Sequence, residues 1–90
     1  INYSMSKDVL FIAAAGNGRV DQAKGGAFGY DNDTDSKPAY PASYDMDNIV
    51  SVAAMDIKGE FGVFSNWGRK TVDLGAPGVK IFSTITDRQV

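Results

Sequence analysis

The residues of this 90-residue chain best placed to do chemistry are an asparagine between two glycines, Gly16-Asn17-Gly18, and three alternating aspartates, Asp31, Asp33 and Asp35. A glycine-rich turn after an apolar run can cradle phosphates. The dinucleotide fingerprint, however, needs a third glycine at position 21, where Asp21 stands, and no helical pattern opens there. By itself the triplet reads as a turn in which Asn tolerates a left-handed backbone. The aspartates offer the oxygen ligands that hard cations such as Ca²⁺ take. The EF-hand pattern fails, because Ser36 replaces the needed Gly and Ala42 the needed Glu, so a solvated acidic loop is the simpler account. The chain has no His, and a general base near neutral pH is most often His; the chain alone therefore cannot hold a Ser-His-Asp arrangement. Without Cys it has no disulfide framework, thiolate metal site or cysteine nucleophile.

Elements must hold these residues. Residues 9–15 (VLFIAAA) are a continuous apolar run that stops at Gly16, which predicts a strand buried on both faces of a parallel sheet. Alanine is a poor strand former, so Ala13, Ala14 and Ala15 imply that something packs or binds closely at that end. Residues 16–39 read as one long loop, of a length uncommon unless functional or flexible. Residues 48–55 (NIVSVAAM) read as a second buried strand, 56–59 as a turn and 60–64 as a short edge segment. Residues 71–74 and 79–83 read as two more short strands flanking a Gly-Ala-Pro-Gly turn at 75–78. Residues 1–7 are taken as the tail of a helix, with a turn opening at Asp8. There is no internal repeat. The pattern is one end of an α/β sheet lacking most of its helices, within one domain at most.

Composition narrows the partners. The hydrophobic fraction of 43% is that of a globular protein. Nine basic against eleven acidic residues give a net charge of −2, which excludes a strongly basic face for nucleic acid or a cationic membrane patch. No apolar run approaches the roughly 20 residues needed to cross a bilayer. No signal-peptide pattern is visible, and a start at Ile1 rather than Met reads as a piece of something longer.

Three segments, in this order and spacing, resemble the subtilisin-like serine proteases, or subtilases. They are FIAAAGN at 11–17; YPASY at 40–44 followed by NIVSVAA at 48–54; and FSNWG at 64–68 followed by VDLGAPG at 72–78 and IFST at 81–84. The resemblance covers nearly the whole chain, with residues 18–37 the least matched. It implies a doubly wound α/β fold with a mostly parallel sheet, of which residues 1–90 are the middle of the catalytic domain. The Asp and His motifs of the triad would precede Ile1 and the nucleophile Ser would follow Val90.

The resemblance also assigns roles. Asn17 matches the residue that donates its side-chain amide to the tetrahedral oxyanion, a task suited to a neutral donor with no proton to lose. Ala14, Ala15 and Gly16 would line one wall of the substrate pocket, and Ala39 to Ala42 the other; plain close packing is the competing account of these small residues. Tyr40-Pro41 resembles the family's cis bond. Some subtilases hold a weak Ca²⁺ or monovalent cation with carbonyls near Ala42 and Tyr44 and the carboxylate of Asp73; no other cofactor is implied. Ser65, Asn66 and Trp67 read as a buried structural turn, with Phe64 and Trp67 as core or groove-edge aromatics. Sequons stand at Asn2 and Asn32, and Asn32, in the loop, is the usable one if the protein, secreted as the resemblance implies, is secreted by a eukaryote.

The expected function is thus a segment of a serine endopeptidase acting on peptides or proteins, inactive alone. The alternatives are a subtilase-derived binding or scaffold module without catalysis and a cation-binding loop protein. Removing strands from a parallel sheet exposes edges and apolar faces, so the isolated chain is expected to self-associate, to pair with complementary fragments or to take an altered fold.

Overall fold

The computed structural model describes residues 1–84, the side chain of Asp21 excepted. The short helix α1 (Asn2–Ser6) ends in a turn in which Asp8 takes a φ of 57°. The strands β1 (Phe11–Ala14), β2 (Arg19–Asp21), β3 (Gly26–Phe28), β4 (Ile49–Met55) and β5 (Leu74–Pro77) follow. β1, β4 and β5 form one sheet in the order β1-β4-β5, and both pairings are parallel. Phe11 stands opposite Ile49, and Val52 lies between Ala14 and Leu74. β4 is hydrogen-bonded on both sides, and its largely apolar run, broken only by the buried Ser51, suits that central position. The parallel sheet expected of an α/β chain is present.

Three expectations are corrected. First, β1 is not buried on both faces: Ala13 points into the core, but Ile12 is 64% exposed. One face of the sheet is bare because no helix packs on it among the described residues. Second, residues 16–39 are not a plain loop. β2 and β3 pair as an antiparallel ribbon, Arg19 opposite Phe28 and Val20 opposite Ala27, closed by a turn at 22–25. Third, Gly75-Ala76-Pro77 is not a turn but the body of β5, and residues 79–83 form no strand. Parallel pairing with β4 supplies the backbone partners that override turn propensity. Pro77 is tolerated because it closes an edge strand, where a missing N–H costs no ladder bond.

The buried residues are small and half of them polar. Ala13, Ala15, Ala42, Ile49 and Ala53 form the apolar core, beside Asn32, Asn48, Ser51, Ser65 and Asn66. Alanines contribute little apolar area, so backbone and amide hydrogen bonds carry much of the local order.

Candidate active site

The site begins where the sheet ends. The Ala15 N–H extends the parallel ladder to the Val52 carbonyl (2.8 Å). Gly16 then turns the chain at a φ of 112°, a left-handed conformation that side chains rarely adopt. Asn17 is exposed just beyond, followed by Gly18 at a φ of 70°. Among the described residues the Asn17 amide has no hydrogen-bond partner. Its place past the carboxyl ends of parallel strands is where α/β sheets build their sites.

Two buried asparagines hold this turn. The Asn66 backbone N–H donates to the Gly16 carbonyl (2.8 Å), and the Tyr30 N–H donates to Asn66 Oδ1 (2.9 Å). Asn66 Nδ2 donates to Asn32 Oδ1 (3.2 Å), which also accepts the Ala39 N–H (3.2 Å). Asn32 Nδ2 donates to the Ala15 carbonyl (2.9 Å). A Cβ on Gly16 would stand 2.7 Å from Asn66 Nδ2 and 2.9 Å from the Ala39 Cβ, so glycine is required for this approach. Gly16 and Ala39, expected on opposite walls of one pocket, are therefore neighbours. Ala14 is exposed, while Ala15 and Ala42 are buried at 1% and 3% exposure and present no side-chain surface. The Tyr40-Pro41 bond is cis.

Sequence reasoning placed Asn66 in a buried turn with Ser65, and both are buried there; Trp67 is half exposed at its edge. It misplaced Asn32. That side chain is only 3% exposed and its Nδ2 is engaged, so it offers no atom for a glycan and the expectation of a usable sequon is overturned. The only available signal was long-range, because a run of aspartates around an asparagine reads locally as solvated.

The acidic loop is likewise not simply solvated. Asp31 Oδ1 accepts the Asp33 N–H (2.9 Å). Asp33 accepts the Lys70 and Thr71 N–H groups (each 2.9 Å) and the Thr71 hydroxyl (2.7 Å). The Thr71 hydroxyl, followed by the Lys70 N–H, holds the Asp33 carboxyl below the usual aspartate range. Asp35 forms an ion pair with Arg19, whose guanidinium lies 4.0 Å from the Tyr30 ring centroid. Asp35 thus ties the ribbon, and Asp33 the turn before β5, to the loop, while Asp31 braces the loop internally. Among the described residues no group of three or more His, Cys, Asp or Glu is arranged to hold a metal. A separate concavity of about 380 Å³ is lined by Ala42, Ser43, Tyr44 and Asp73, among others.

A parallel sheet whose carboxyl edge carries a free amide among small residues is compatible with part of an α/β fold. The model of the subtilase family matches residues 1–90, and the chain belongs to that family. It is 36% identical over 86 residues to subtilisin-like protease 2 of Plasmodium falciparum, covering 94% of this chain and 6% of that protein. It is 37% identical over 86 residues to the thermophilic serine proteinase of Bacillus sp. strain AK1, covering 96% and 17%. Thermitase of Thermoactinomyces vulgaris is 33% identical over 84 residues, covering 93% and 24%. The chain thus spans less than a quarter of the length of each of these relatives.

Proposed function

We propose that this chain is the middle of a serine endopeptidase domain, in which Asn17 supplies an oxyanion donor and the adjoining small residues supply part of the substrate pocket. The observation that carries the reading is the unpartnered Asn17 amide, exposed at the carboxyl edge of the sheet on a turn pinned by Asn32 and Asn66. An Asp, a His and a Ser from other parts of the protein would carry acyl transfer. The Ser oxygen would attack the peptide carbonyl, the His would take its proton, and the carbonyl oxygen would become an oxyanion. A donor already aimed at that oxygen needs no reorganisation when the charge develops, so it stabilises the transition state more than the substrate. Substrate would lie along Ala14, Ala15 and Gly16, with Ala39 and Ala42 behind. Ala15 and Ala42, being buried, would act through backbone and close packing.

The rest of the reading follows family membership. The remaining strands and helices would complete a doubly wound sheet. Asp73 and the carbonyls around Ala42 and Tyr44 would suit a weakly held hard cation, which takes oxygen ligands. The protein would act on proteins or peptides outside the cell; no helix among the described residues is long and apolar enough to cross a membrane.

The test is kinetic, in the full-length protein. Removing one such donor from subtilisin itself costs about 10²–10³ in kcat, a value known for that enzyme, and Asn17→Ala is expected to fall in the same direction with KM little changed. An unchanged kcat would remove Asn17 from the mechanism. A full-length protein with no peptidase activity, and no His in its upstream sequence, would favour a binding or scaffold module instead.

A further inference from the structure

The Asn17-Gly18 peptide carries a second chemistry. Backbone nitrogen can attack the side-chain carbonyl of a preceding asparagine when the nitrogen is unhindered and neither group is engaged. Those conditions meet here. Asn17 is exposed and its amide is unpartnered, and the Gly18 N–H makes no hydrogen bond among the described residues. Gly18 has no side chain to obstruct the approach, and the fold does not permit one. A Cβ at Gly18, which sits at a φ of 70°, would run into the Phe28 carbonyl oxygen. The turn that presents the amide therefore requires the neighbour that makes asparagine most labile.

We propose that Asn17 is a site of spontaneous deamidation. The Gly18 nitrogen loses its proton and bonds to Asn17 Cγ. The Cγ–Nδ2 bond breaks, and the amide leaves as ammonia with the proton. Water then opens the resulting cyclic imide at either carbonyl, giving aspartate or isoaspartate. One water is consumed and one ammonia released, with no oxidant or reductant.

The other four asparagines are built-in controls. Asn32, Asn48 and Asn66 are buried, with their Nδ2 groups donating hydrogen bonds, and precede Asp33, Ile49 and Trp67. Asn2 is exposed but lies in α1 and precedes Tyr3. The functional consequence rests on the oxyanion reading. An aspartate cannot donate when ionised, and its charge opposes the oxyanion, so deamidation would erase the donor and set a clock on activity.

The full-length protein is incubated in mildly alkaline buffer, and samples are digested for peptide mass analysis and assayed in parallel. Gly18→Ala is a poor control because it is expected to distort the turn. Asn17→Gln keeps an amide but needs a larger, slower-forming ring, and Asn17→Asp mimics the product. The expected result is that the Asn17 peptide gains the mass of an NH₂-to-OH exchange several-fold faster than the other four. Activity should fall in step with the converted fraction, Asn17→Asp should be as impaired as Asn17→Ala, and Asn17→Gln should hold its mass. Conversion of Asn17 no faster than that of the other asparagines overturns the proposal. Fast conversion with activity retained upholds the modification and overturns the oxyanion role instead.

Discussion

Asn32 serves three groups at once: it donates to the Ala15 carbonyl and accepts from the Ala39 N–H and Asn66 Nδ2. Truncating it would strand the buried Ala15 carbonyl and the buried Asn66 Nδ2, each costing about 1–3 kcal/mol, so Asn32→Ala is expected to destabilise the protein by about 2–4 kcal/mol. Denaturant unfolding of the full-length protein checks this, and a loss below about 0.5 kcal/mol would contradict it. Peptide mapping of secreted protein should find Asn32 without a glycan. Gly16→Ala should cost about 1–3 kcal/mol from backbone strain alone and more from the approach to Asn66 and Ala39. A fully stable, fully active Gly16→Ala protein would show that the turn is not held as described. The position of Asn17 just past a strand was legible in the sequence because the apolar run stops at Gly16. Asn32 was not, because two of its three partners lie 17 and 34 residues away along the chain.

At the scale of elements, the loop after the site is organised by carboxylates rather than by an apolar core. Asp33 fastens it to the turn before β5 through the Lys70 and Thr71 N–H groups and the Thr71 hydroxyl. Those bonds favour the ionised carboxyl, so its pKa is lower folded than unfolded. The linkage sign follows: this contribution is fully present above the ordinary aspartate range and is lost as pH falls through the depressed folded value. The stability gap between wild type and Asp33→Ala, read by urea unfolding, should therefore be constant near neutrality and shrink only in that acid window. A gap that widened on acidification would show that Asp33 is not held as the anion. β1 and β4 were legible as strands because short, largely apolar runs mark parallel strands, but β1 is an edge strand with one bare face. The β2–β3 ribbon was not legible, since each strand is only three residues long and its pairing depends on the turn at 22–25 rather than on periodicity. β5 was misjudged because a Gly-Ala-Pro-Gly run has the local chemistry of a turn, while its partner strand lies more than 20 residues earlier in the chain.

The described molecule is open as a whole. Its radius of gyration of 14.6 Å exceeds the roughly 12 Å of a compact domain of this length. Its apolar core is four alanines and one isoleucine, while Ile12, Phe61, Val63 and Leu74 are exposed. β1 and β5 each leave one edge unpaired. Light scattering of the isolated 90 residues should show a mass that rises with concentration, and a monodisperse monomer would contradict that expectation. In the proposed endopeptidase domain, other parts of the protein would cover this bare sheet face. One side chain at the carboxyl edge of the sheet, Asn17, decides the proposed function. The most direct measurement is a crystal structure of the full-length protein with a peptide boronate or aldehyde bound as a tetrahedral adduct. Asn17 Nδ2 should lie about 2.7–3.1 Å from the adduct oxygen that replaces the oxyanion. An Asn17 amide beyond about 3.5 Å, or turned away from that oxygen, would contradict the account.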